Sequence, residues 1–104
     1  MSPAPAQVFA ALGDPQRLEL LRRLGAGAES ATALAQHATI SRQAVVKHLR
    51  VLESAGVVAA HRDGREVLFA VRPEALAESS RWLDDVAAAW DRRLADLKKA
   101  AELG

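Results

Sequence analysis

Cysteine and tyrosine are absent from the 104 residues, and only four residues are aromatic: Phe9, Phe69, Trp82 and Trp90. Without cysteine there is no disulfide framework, thiol nucleophile, iron–sulfur cluster or zinc–thiolate site, and a reducing compartment fits. No apolar run approaches the roughly 20 residues that cross a bilayer. The segment Met1–Gln7 has neither a basic n-region nor an apolar core, so it does not read as a signal peptide. The expectation is a cytoplasmic protein with no membrane partner. A Gly-rich phosphate loop, a paired-histidine motif and a nucleophile–base spacing are missing as well, which argues against an enzyme. Adjacent acids such as Asp84 and Asp85 point to different sides of a helix and read as solvated.

What remains is an alanine-rich chain. Half of the residues are apolar and 23 are alanine, which favours helix, and the length suits one domain with one core. The net charge of +1 hides an uneven distribution. Residues 1–40 balance three cations with three acids, residues 41–72 carry six cations against three acids, and residues 73–104 carry five against seven. A basic middle beside an acidic end points to a polyanion partner for one segment only.

Local signals divide the chain. Residues 2–6 read as a short leader, and Val8, Phe9 and Leu12 share one face of a first helix ending at Gly13. Asp14-Pro15 opens a second helix, since Asp caps and Pro suits the first helical position; Leu18, Leu21 and Leu24 follow at three-residue steps, with Arg22 and Arg23 on a solvated face. Ser30 caps a third helix to about His37, and Ser41 caps a fourth, Arg42 to Ala55, stopped by Gly56. Val45, Leu49 and Leu52 form the buried stripe of that fourth helix. The period then changes from 3.6 to 2: strand-like runs 57–62 and 65–72 flank Asp63-Gly64, a hairpin signal that would set Arg62 opposite Arg65. Pro73 opens a last helix on which Leu76, Leu83, Trp90 and Leu97 recur every seven residues, with Val86 and Leu94 between them. Unbroken, it would outreach a compact domain, so a second copy of the chain is the economical cover; the alternative is a helix that breaks near Ser79-Ser80 and folds back on its own core.

Two short helices joined by a tight turn, followed by a hairpin, form the layout of a winged helix-turn-helix. The fold expected is mainly α with a small β-hairpin: five helices and a two-stranded wing, as a single domain over residues 1–104. Residues 1–13 and 73–104 would also serve as dimerisation helices. Ser41 can offer its hydroxyl and the helix start to a phosphate. Arg42 and Gln43 have the reach for base edges, Arg suiting G and Gln suiting A. Lys47 lies one turn on, His48 sits at the edge of the buried stripe, and Arg62 and Arg65 suit a narrow minor groove or phosphates.

The run from Ile40 to Val58, Ile-Ser-Arg-Gln-Ala-Val-Val-Lys-His-Leu-Arg-Val-Leu-Glu-Ser-Ala-Gly-Val-Val, resembles the recognition-helix signature of ArsR-type winged-helix repressors. Phe9 to Leu18 resembles the opening of that family, and Arg62 to Phe69 its wing, so the likeness covers about residues 7–72. The resemblance implies a homodimeric, sequence-specific DNA-binding transcriptional regulator, usually a repressor on an inverted-repeat operator in double-stranded DNA. The DNA-binding set it implies is Ser41, Arg42, Gln43, Val46, Lys47, His48, Arg62 and Arg65. The dimer set is Phe9, Leu83, Val86, Trp90, Leu94 and Leu97. Val46 stands where the family often has Ser or Thr, and its methyls can meet a thymine methyl. Ser30 and Thr32 stand where arsenic-sensing members carry cysteines, and the last helix lacks the histidines of zinc sensors. The C-terminal helix resembles a metal-independent branch, so no metal or cofactor is expected; the resemblance implies release by an effector, which the sequence does not identify. The competing reading is a winged-helix protein-interaction module that does not bind DNA, favoured by the small net charge and the acidic last helix.

Overall fold

The computed structural model describes residues 3–103. Among these, five helices and three strands follow in the order α1 (Pro5–Leu12), α2 (Pro15–Leu24), β1 (Glu29–Ser30), α3 (Ala31–Gln36), α4 (Arg42–Ser54), β2 (Val58–Asp63), β3 (Glu66–Val71) and α5 (Pro73–Leu103). No helix among the described residues is long and apolar enough to cross a membrane.

The helix starts are where the capping chemistry puts them. The Asp14 carboxylate accepts from the backbone N–H groups of Gln16 and Arg17 at 2.8 and 3.2 Å, with Pro15 as the first helical residue. The Ser30 and Ser41 hydroxyls accept from Ala33 and Ala44 at 3.1 Å. α4 ends in a Schellman closure: the Val57 N–H returns to the Leu52 carbonyl and the Gly56 N–H to that of Glu53. Gly56 has φ +78, and a Cβ there would meet the Pro3 ring at 3.0 Å, so both backbone and space demand glycine. α1 starts two residues earlier than the leader reading allowed: Pro5 serves as its first residue, Ala6 lies inside it, and Ser2 falls outside the described residues.

The cap at Asp14 makes a testable link to pH. Donation from the Arg17 backbone N–H, then from that of Gln16, holds the carboxyl below its ordinary value of 3.8. A carboxyl lowered in the fold stabilises it above the unfolded value, and that contribution is lost as pH falls through the folded value. Asp14→Ala is therefore expected to melt below the wild type at pH 7. The gap should close as the pH drops below about 4. A gap unchanged across a thermal-melt series from neutral to acidic pH would contradict this.

The sheet has strand order β1-β3-β2, all antiparallel. Its third strand departs from the two-stranded wing read in the sequence: Glu29 and Ser30 pair with Phe69 and Leu68, tying the start of α3 to the wing. The turn is also shifted by one residue. Asp63 pairs with Glu66 and Arg62 with Val67, leaving Gly64-Arg65 as the two-residue loop. Arg62 and Arg65 therefore do not oppose each other. The reason is local: within the turn only Gly64 carries a positive φ, +62, which is the signature of a II′ turn with glycine first, whereas a turn on Asp63-Gly64 would seat aspartate there.

Val8, Leu20, Leu34, Val45, Leu49, Leu52, Val57 and Val58 make the core, with Phe69, Val71 and Leu76 packed against it. On α2 Leu20 and Leu24 are buried and Leu21 packs against the core, while Leu18, the first of the three-residue leucine ladder, is half exposed. Arg22 pairs with Glu19 in solvent. Arg23 does not lie on a solvated face: it is largely buried, donates to the Leu34 carbonyl at 2.6 Å and approaches Glu29, fastening α2 to α3 and β1.

α5 is one helix of 31 residues with no break at Ser79-Ser80. At 1.5 Å per residue it runs about 46 Å, and its far half leaves the domain. The radius of gyration is 18.6 Å, against about 13 Å for a compact chain of this length.

Candidate nucleic-acid interface

α4 stands on the core through Val45, Leu49 and Leu52, each fully buried. The helical repeat then fixes the opposite side. Gln43, Lys47, Arg50 and Ser54, at i, i+4, i+7 and i+11, are all exposed and form its outward stripe. α3 braces the start of α4 from behind, as the first helix of a helix-turn-helix does. The wing lies to one side, with Arg62 and Arg65 exposed at its tip.

Five cations on this face, Lys47, Arg50, Arg62, Arg65 and Arg42, form no ion pair among the described residues. Cations left unneutralised on one face attract a polyanion. The Ser41 hydroxyl accepts the Ala44 N–H and keeps its own proton free to donate.

Two members of the sequence-derived set are held from within the protein. Arg42 Nε donates to Thr32 Oγ1 at 3.0 Å, so its guanidinium lies over α3 and not along the outward stripe. His48 is half-buried, and its Nδ1 is 3.3 Å from the Arg17 guanidinium. A guanidinium only donates, so Nδ1 accepts and the ring proton sits on Nε2. Arg17 also donates from Nε to the Ala11 carbonyl at 2.5 Å. One arginine thus links the end of α1 to the middle of α4. Val46 is half-buried beside Arg42.

Neither Arg50, which the sequence places outside the buried stripe of α4, nor Thr32 was in the DNA-binding set drawn from the sequence. Arg50 could have been found by spacing, since it lies seven residues after Gln43 on the same stripe. Thr32 could not, because its use depends on the packing of α3 against α4.

The residues assigned to dimerisation lie on α1 and along α5. Leu83, Val86, Trp90, Leu94 and Leu97 are exposed, Leu97 to 63%. Phe9 is half-buried and meets Trp82 with ring centroids 5.8 Å apart, so it fastens α1 to α5 within one chain. The Arg93 guanidinium lies 5.6 Å from the centre of the Trp90 ring.

Residues 12–60 match a family described as a helix-turn-helix domain. The chain is 33% identical over 76 residues to the transcriptional repressor SdpR of Bacillus subtilis, covering 73% of this chain and 84% of that protein. Among solved structures, an ArsR-like transcriptional regulator from Rhodococcus sp. RHA1 superposes with a TM-score of 0.86 at 42% identity, over 93% of this chain and 92% of that one. A homodimeric winged helix-turn-helix DNA-binding domain from Mycobacterium bovis superposes with a TM-score of 0.63 at 27% identity, over 83% and 77% of the two chains.

Proposed function

The chain belongs to the ArsR-like family of winged helix-turn-helix transcriptional regulators, and from that premise we propose that two copies bind an inverted-repeat operator and repress transcription from it. The observation that carries this reading is the unpaired cationic face of α4 and the wing, set opposite a fully buried stripe. α4 enters the major groove. Gln43 and Lys47 reach base edges, Val46 meets a thymine methyl, and Ser41 donates to a phosphate at the helix start. Arg62 and Arg65 follow the wing to the neighbouring backbone or minor groove. His48 works from behind, setting the tilt of α4 through Arg17.

Leu83, Val86, Trp90, Leu94 and Leu97 of α5 hold the two copies together, and Phe9 of α1 supports that face from within its own chain through Trp82. Their dyad would present the two α4 helices to half-sites about 34 Å apart. Ser30 and Thr32 are not thiols, and Thr32 Oγ1 is already the acceptor for Arg42, so release by a thiophilic ion at that position is not part of this reading. The protein would act in the cytoplasm, where its operator is.

Selection of duplexes from a random pool, followed by fluorescence anisotropy on the enriched sequence, tests this reading. Saturable binding that falls steeply between about 50 and 200 mM salt is expected. The absence of any saturable binding at the low end of that range would refute it. Within the complex, Gln43→Ala is expected to relax preference at one base position by about 1–3 kcal/mol while leaving the salt dependence unchanged. A loss that is the same on every sequence would show that Gln43 does not read bases.

A further inference from the structure

We propose that the cleft between α3, α4 and the wing is a seat for one phosphodiester of the duplex, held by Arg42, Arg50 and Arg65. On this assignment Arg42 is an affinity residue and not a base reader. The proposal rests on the DNA-binding reading above and assigns within it which side chains grip the backbone.

The cleft has a volume of about 430 Å³ and brings Arg42, Arg50 and Arg65 together with a single acid, Glu66. Among the described residues none of the three arginines forms an ion pair. Three like charges gathered from two elements repel one another unless an anion joins them. Ala31, Val46, Val67 and Phe69 also line it, and apolar lining lowers the local dielectric and strengthens each attraction.

The Thr32 contact decides which anion group fits. By using Nε on Thr32 Oγ1 at 3.0 Å, Arg42 is turned about the edge of α4 toward α3. Its remaining guanidinium N–H groups stay available as a fork, the geometry that matches two oxygens of a phosphate. A guanine edge at the groove floor would lie along the outward stripe of Gln43 and Lys47, away from that direction. Arg50 belongs both to the cleft and to this stripe, so the cleft opens on the face that meets the duplex. Thr32 is a positioning residue in this arrangement, acting only through Arg42.

Anisotropy titrations of the full chain on its selected operator and on a scrambled duplex test the seat. Arg42→Ala and Arg50→Ala are expected to weaken both duplexes by the same factor, about tenfold, and each to reduce the salt slope by about 1. Their operator-to-scrambled ratio should stay that of the wild type. Both side chains are exposed, and circular dichroism verifies that the variants fold. Thr32→Val should weaken both duplexes several-fold without changing their ratio, while Thr32→Ser, which keeps the hydroxyl, should restore wild-type binding.

Loss of the operator preference in Arg42→Ala, with scrambled binding unchanged, would overturn the proposal by making Arg42 a base reader. An unchanged salt slope in both arginine variants, with wild-type binding intact, would overturn it too. If the wild type itself bound no duplex, the functional reading would fall first, and the two failures are thereby distinct. Millimolar inorganic phosphate, replacing chloride at constant ionic strength, should not displace the duplex. Displacement that disappears in Arg42→Ala would reassign the cleft to a free anion.

Discussion

Leu94→Asp is expected to leave the chain monomeric at micromolar concentration and to weaken operator binding by about 10²- to 10⁴-fold, the range that a second linked contact contributes. Leu94 is 57% exposed on the half of α5 that leaves the domain, and Trp90 and Leu97, 53% and 63% exposed, flank it on the same side. A surface of this kind on an isolated chain marks an association site. In a two-fold interface every substitution occurs twice, so one change introduces two carboxylates into an apolar contact. Each costs several kcal/mol if it stays charged and unpaired. The α4 surface lies on another element and is untouched, so binding to a single half-site should persist at high protein concentration. Arg92→Asp, on the opposite side of α5, changes charge by one unit more and is expected to leave the dimer intact. Sedimentation equilibrium on the two variants decides the matter. A dimeric Leu94→Asp variant, or a monomeric Arg92→Asp variant, would remove this face of α5 from the interface.

The elements that carry their own chemistry were legible in the sequence. Asp14-Pro15, Ser30 and Ser41 start helices because side-chain oxygens satisfy backbone N–H groups within three residues. Gly56 ends α4 because the closing turn needs a left-handed residue. The heptad of Leu76, Leu83, Trp90 and Leu97 gave the long α5, and the apolar residues at its later positions stand exposed along it. What the sequence left hidden depends on contacts between elements. β1 is two residues long and has no periodicity of its own; it exists because β3 offers an edge to it. The hairpin turn moved by one residue because Asp-Gly marks a turn without stating whether glycine stands first or second. Arg23 resembles its exposed neighbour Arg22 in sequence, and only the approach of α3 turns it inward to the Leu34 carbonyl. Arg42 likewise reads as a groove residue until Thr32, ten positions away, claims its Nε. In the interface, then, the stripe on α4 was readable from spacing, while the direction of each long side chain was set by packing.

Leu49→Ala should be the most damaging single truncation in the reading head, lowering stability by about 2–5 kcal/mol. Leu49 is fully buried at the middle of α4, between Val45 and Leu52 on the same stripe. Removing its side chain leaves a cavity beneath the helix that the interface uses, and the tight Schellman closure at Gly56 limits how far α4 can settle into it. For a domain of this size the expected fall in melting temperature is at least about 8 °C. Association of two copies would stabilise the fold by mass action, so wild type and variant are compared at equal protein concentration. Leu18→Ala supplies the contrast. Leu18 belongs to the leucine ladder of α2 and is as apolar as Leu49, yet it is 50% exposed, so its truncation removes little buried surface and leaves no closed cavity. Its expected cost is within about 1 kcal/mol. Chemical denaturation of the two variants separates burial from composition: equal losses would mean that α4 does not rest on Leu49, and the support assigned to the α4 stripe would fail with it.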